Sequence, residues 1–219
     1  MDSAHIINGL LLYLSLVILL TFHEFGHAWM AFKCGDDTAK TMGRCSLNPL
    51  VHIDLIGTVI LPLIMIFMPG AGRFLVGWAK PVPVNLSNLR NPRMDDILIT
   101  LAGPWMNLFL AVVLMGLAKA GLIAGSEEIA RLCISTATIS LLLFFFNLIP
   151  IPPLDGSRVM RVVVGMSYET YAQFARFGII ILIIALQIPF VTKGLRVATV
   201  GSLRILAEWF AVPLPASLS

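Results

Sequence analysis

Leu16-Val17-Ile18-Leu19-Leu20-Thr21-Phe22-His23-Glu24-Phe25-Gly26-His27 sets the class of this chain. It closes an apolar run, Ile6–Phe32, in which only Asn8, Ser15 and Thr21 are strongly polar before residue 23. About 20 apolar residues span a bilayer as a helix, so this run is predicted to cross. On a helix His23 and His27 stand at i and i+4, one above the other on one face. That spacing lets both imidazoles reach a single zinc, with Glu24 placed to act on a water that the metal activates. Each ionisable group at bilayer depth costs roughly 2.5–3.5 kcal/mol on insertion scales, so three together in such a run imply a task.

Composition agrees with a membrane setting. Of 219 residues, 58% are hydrophobic and 12% charged, and the net charge is +3. Soluble domains carry about 25% charged residues. The basic residues flank apolar runs, which reads as a topology signal and not as a nucleic-acid footprint. Cys34, Cys45 and Cys133 form no CxxC pair and read as reduced, structural thiols. The first apolar run has no basic leader and no small-residue cleavage site, so a retained helix is expected.

Ile97–Leu122 and Ile129–Ile149 are also long enough to cross, and Phe174–Val191 is a slightly short fourth candidate. Leu55–Met68 is shorter, contains Gly57 and Pro62, and suits a re-entrant segment. Val197–Val212 reads as an amphipathic helix lying in the interface. Lys33, Lys40 and Arg44 follow the first run, Arg73, Lys80, Arg90 and Arg93 precede the second, and Arg158 and Arg161 follow the third. This excess places those ends in the cytoplasm, with Lys193 and Arg196 as a mild exception. The expected fold is an all-α integral membrane protein, a polytopic helical bundle with a re-entrant segment. It forms a single domain over 1–219, with a catalytic core at about 6–160 and C-terminal helices at 161–219. A small extended element is expected at Gly77–Asn85, where Pro81 and Pro83 forbid a helix and suit an edge strand, with an ordinary cytoplasmic loop as the equal alternative.

A zinc hydrolase site needs three protein ligands and an open position. The third run ends in Asn147-Leu148-Ile149-Pro150-Ile151-Pro152-Pro153-Leu154-Asp155-Gly156. Its prolines and Gly156 break the helix and turn the chain back, and under the charge topology Asp155 falls at the depth of the histidines. Asp54, beside His52, is the best rival. Asp36 and Asp37 read as solvent-facing, and Glu127 and Glu128 lie in the outer connection.

His23, Glu24 and His27, together with Asn147, Pro150, Pro152, Leu154, Asp155 and Gly156, resemble the HExGH and N-x-x-P-x-P-x-L-D-G motifs of the site-2 protease family of intramembrane zinc metalloproteases. Ala102-Gly103-Pro104 with Asn107 is similar to the opening of the helix between those motifs. The chain resembles the minimal branch, without PDZ or CBS domains. The resemblance implies one zinc per chain held by His23, His27 and Asp155, with Glu24 as the proton carrier. It implies a substrate-handling role for Asn147 and a transmembrane protein as substrate. Trp78, Lys80, Pro81, Val82, Pro83 and Val84 stand where relatives hold their substrate, and Asn107 is a supporting candidate. The setting expected is a bacterial or archaeal plasma membrane, with the active site toward the cytoplasm. Two other classes remain at this point: a zinc-handling or transport protein, and a membrane chaperone without proteolysis. Ligands gathered at one depth disfavour a transport path, and a chaperone has no need of Glu24.

Overall fold

The computed structural model describes residues 3–67 and 77–215, which are helical with no β-strand among them. Three helices are long and apolar enough to cross a membrane: Ile6–Cys34, Pro92–Ile123 and Glu127–Asn147. The chain divides into two compact units, Met1–Arg90 and Asn91–Ser219.

In the first unit, α1 runs from Ser3 to Cys34. Its hydroxyls are satisfied within the helix, Ser15 donating to the Leu11 carbonyl at 2.9 Å and Thr21 to that of Val17 at 2.7 Å. This is how an apolar helix carries hydroxyls at low cost. Gly35, at φ +110°, ends it, and a short α2 follows at Thr38–Thr41. Leu55–Ile60 forms a π-helical stretch of six residues that continues into the seven-residue α3, Leu61–Phe67. At about 1.5 Å per residue these span at most about 20 Å, short of the ~30 Å hydrocarbon layer. The described part of this segment, 55–67, is therefore too short to cross by itself. Residue 68 and any return of the chain lie outside the described residues.

The segment Gly77–Asn85 is irregular, and the expected edge strand has no ladder among the described residues. Its backbone is tied instead to loops and side chains. Trp78 N–H donates to the Gly57 carbonyl and Lys80 N–H to that of His52, at 3.1 and 2.9 Å. The Thr58 hydroxyl donates to the Trp78 carbonyl at 2.7 Å. Prolines at 81 and 83 remove the alternate donors a ladder would need. The indole of Trp78 covers Gly57, where an added Cβ would lie 2.4 Å from the ring.

In the second unit, α4 (Pro92–Ile123) and α5 (Glu127–Asn147) form a hairpin whose turn uses Gly125 at φ +77°. Pro92 stands at the start of α4, where its missing N–H costs nothing. Ala111, Met115 and Ala118 meet Ile134, Ala137 and Leu141, and small residues let the two backbones approach. Beyond α6 (Asp155–Val163) come α7 (Tyr168–Ala175), α8 (Gly178–Gln187) and α9 (Pro189–Phe210).

The predicted run Phe174–Val191 is not one helix. α7 and α8 meet at a bend of 59°, and Pro189 starts α9. A proline forces the residue before it out of the helical region, and Ile188 is extended. The predicted interfacial helix at 197–212 accordingly begins eight residues earlier. It also does more than lie on a surface, since Leu203, Leu206 and Ala207 are buried in the core formed with α4 and α5.

The loop between α5 and α6 turns tightly around Gly156, where a Cβ would stand 2.2 Å from the Leu148 carbonyl oxygen. Gly156→Ala is expected to lower stability by about 3 kcal/mol, the upper range for overpacking, read as a fall in melting temperature in detergent.

Candidate metal centre

His23, Glu24 and His27 lie on α1 and are all buried, at 5%, 9% and 7% exposure. The helix brings the two imidazole Nε2 atoms to 3.0 Å, with the rings edge to face at 4.7 Å. Zinc–nitrogen bonds of 2.0–2.1 Å at a tetrahedral angle place two such nitrogens about 3.3 Å apart. The pair therefore fits a shared zinc after a shift of a few tenths of an ångström. Both ring nitrogens converge on one point at no cost in helix geometry.

Glu24 does not join that convergence. Its Oε2 accepts the Val82 N–H at 3.0 Å, across 58 residues of sequence. The flanking chain is fixed by two further buried groups. The Arg44 guanidinium, 6% exposed, donates to the carbonyls of Lys80 and Pro81. Asp36 is fully buried, against the expectation that it faces solvent. Its Oδ2 accepts the Asn85 N–H at 2.7 Å, and its Oδ1 accepts the Asn88 amide at 2.9 Å and the Thr38 N–H at 3.1 Å. Burial works to raise the Asp36 pKa, but the hydrogen bonds from Thr38, Asn85 and Asn88 outweigh it and hold the carboxyl below its ordinary range.

The rival acid is otherwise employed. Asp54 caps the π-helical stretch, accepting the N–H groups of Ile56 and Gly57 at 3.1 and 2.7 Å. His52 is buried at 2% exposure, with its Nε2 on the Ser46 carbonyl at 2.8 Å. Both serve the loop that carries Lys80.

In the second unit, Asp155 is the half-buried first residue of α6 and Asn147 the last of α5. Asn147 Nδ2 donates to the Leu143 carbonyl at 3.0 Å. The orientation of α6 is fixed by Asp96 of α4, which is 1% exposed and pairs with Arg158 at 3.0 Å and with Arg161. The Ser157 hydroxyl meets that of Tyr171 at 2.8 Å, and Gly178 packs on the Pro152 carbonyl. Asn107 is fully buried between α4 and α5, and its carbonyl accepts the Ser140 hydroxyl at 2.6 Å. That bond is a helix–helix contact. The sequence offered no sign of the Val82–Glu24, Arg44–Lys80 or Asp36–Asn85 pairs, because each joins distant stretches.

Two imidazoles and a glutamate buried on an apolar helix, in a chain with three membrane-length helices, define a metallopeptidase type of centre in a multi-pass membrane protein. The pattern of peptidase family M50 matches residues 11–132 and 119–186, and the chain belongs to this family. It is 35% identical over 186 residues to YwhC of Bacillus subtilis, covering 81% of this chain and 80% of that one. It is 30% identical over 173 residues to Rip2 of Mycolicibacterium smegmatis, covering 78% and 64%, and 33% identical over 147 residues to Rip2 of Mycobacterium tuberculosis, covering 64% and 52%. All three relatives are named as candidate zinc metalloproteases. No solved structure matches the chain.

Two predictions follow from the buried charges. Replacing Asp96 with Ala leaves Arg158 and Arg161 without their counter-charge. It should cost about 3–5 kcal/mol, seen as a lowered melting temperature with α6 first to open in hydrogen exchange. Asp36 has a depressed folded pKa, so its stabilisation is fully present above the unfolded value of about 3.9 and is lost as pH falls through the lower folded value. The melting difference between wild type and Asp36→Asn should hold constant from about pH 7 to pH 5 and shrink below about pH 4.

Proposed function

We propose that this chain is a zinc-dependent intramembrane endopeptidase that hydrolyses a peptide bond in or near a transmembrane segment of a protein substrate. The observation that carries the reading is the His23–His27 Nε2 pair with Glu24 beside it, buried on an apolar helix. Family membership supports the peptidase activity, and the relatives' names support zinc. One zinc is held by His23, His27 and Asp155. Donor chemistry supports this set, since two imidazoles and a carboxylate leave a fourth position open. The capping role of Asp54 supports Asp155 over that rival. The two units then act as one catalytic domain.

When bound, zinc supplies a Lewis acid that polarises the scissile carbonyl and makes water acidic enough to attack near neutral pH. Glu24 takes the proton from the attacking water and delivers it to the leaving amine. Asn147 exchanges its bond to Leu143 for one to the developing oxyanion or the substrate backbone. A helical substrate has its carbonyls engaged and must unwind locally before attack. Trp78, Lys80, Pro81, Val82, Pro83 and Val84 offer a surface on which such a segment can be held, and Asn107 supports the site by keeping α4 against α5. Bacterial relatives support a bacterial plasma membrane as the setting. The basic residues at the inner ends of the spans support an active site toward the cytoplasm.

The test is zinc content and cleavage of a transmembrane substrate in detergent. Glu24→Gln should keep its zinc and lose at least about 10²-fold in rate, the usual worth of a proton carrier. Asp155→Ala should lose both metal and activity. Cleavage at the wild-type rate by Glu24→Gln rejects the mechanism, and full zinc in Asp155→Ala rejects the third ligand.

A further inference from the structure

The carboxylate of Glu24 is held by a backbone group from a distant segment. We propose that the Val82 N–H, fixed by Arg44 and Asp36, positions Glu24 for proton transfer by occupying Oε2 and leaving Oε1 to face the reacting water. The proposal rests on the reading of Glu24 as the proton carrier.

Three observations converge on it. The Val82 N–H meets Oε2 at 3.0 Å, a good hydrogen-bond length. Val82 stands between Pro81 and Pro83. Pro81 has a fixed φ, and Pro83 confines Val82 itself to the extended region, so the N–H has little freedom to swing away. The flanks are pinned by opposite charges that are both buried. Arg44 grips the carbonyls of Lys80 and Pro81 on one side, and Asp36 grips the Asn85 N–H on the other.

Burying either charge costs several kcal/mol unless hydrogen bonds offset it. Arg44 spends its hydrogen bonds on the carbonyls of Lys80 and Pro81, and Asp36 spends Oδ2 on the Asn85 N–H, three residues past Val82. The arrangement holds a stretch of backbone at hydrogen-bond distance, 3.0 Å, from a carboxylate. A glutamate on a helix otherwise samples several rotamers, and fixing one oxygen removes that freedom before the substrate arrives. Val82, Arg44 and Asp36 thus act through Glu24 as positioning residues.

The experiment uses purified full-length chain loaded with zinc, cleaving a transmembrane substrate in detergent. Val82→Pro removes the donor and sets the ring Cδ where the N–H stood. The expected result is a kcat lower by about 10- to 100-fold, the scale for a misplaced catalytic group, with unchanged zinc content and a KM within about two-fold. An unchanged kcat, or a rise in KM alone, overturns the proposal; the second outcome would make the segment a docking surface only. If Val82→Pro loses zinc or fails to fold, Arg44 decides. Arg44→Gln should lower kcat and Arg44→Lys, which keeps a charged donor, should recover part of it. Wild-type kcat in both is the contrary result.

A readout independent of activity is hydrogen exchange in the metal-free chain. In Glu24→Ala the 80–85 peptide should take up about one more deuteron at early times than wild type, and equal uptake overturns the contact. Proteolysis surviving in Glu24→Gln would remove the proton-carrier assignment itself. Full kcat in Val82→Pro beside an inactive Glu24→Gln removes only the positioning role.

Discussion

A helix that is apolar enough to enter a bilayer cannot leave a carboxylate and two imidazoles unsatisfied, and much of the first unit follows from that constraint. The imidazoles turn toward each other at 3.0 Å. The carboxylate is met from outside the helix by a main-chain N–H. That N–H must come from a chain segment that is itself anchored, and the anchors are a buried arginine and a buried aspartate. His52, Asp54 and Thr58 serve the same end through the loop that receives Lys80 and Trp78. Polar groups at depth are costly one by one, and here they are connected into one network.

The second unit meets a related demand by different means. Asp155 is carried on a short helix, and a short helix has little intrinsic stability. Asp96 supplies the missing rigidity by pairing with arginines three and six residues beyond Asp155. The Ser157–Tyr171 bond and the seat of Gly178 on Pro152 bring α7 and α8 into the same task. The C-terminal helices are therefore part of what orients the α6 end, and α9 adds its buried face to the α4–α5 core.

Much of this was legible in the chain. Runs of apolar residues located the three long helices to within a few residues, because length and hydropathy are local properties. The histidine pair was legible because i, i+4 spacing is local too. Misreadings arose where one residue overrides a trend. Pro189 divides an apolar stretch that hydropathy alone joins, and moves the start of α9. Asp36 read as solvent-facing because its run is polar, yet its partners Asn85 and Asn88 lie 49 and 52 residues away. Pairings at such separations leave no periodic trace. The strand expected at 77–85 has no ladder among the described residues, because Pro81 and Pro83 lack donors and those of Trp78, Lys80 and Val82 go to Gly57, His52 and Glu24.

Those same donors give the segment a one-sided chemistry. Trp78, Lys80 and Val82 point their N–H groups inward to Gly57, His52 and Glu24. In extended chain the alternate residues face the other way, and there Pro81 and Pro83 have no N–H to give. The carbonyls of Trp78, Lys80 and Pro81 are engaged as well, by Thr58 and Arg44. Little main chain is therefore left along the segment to pair with a second copy. A stretch whose N–H groups are either spent or missing is a poor template for aggregation, the usual hazard of unpaired backbone.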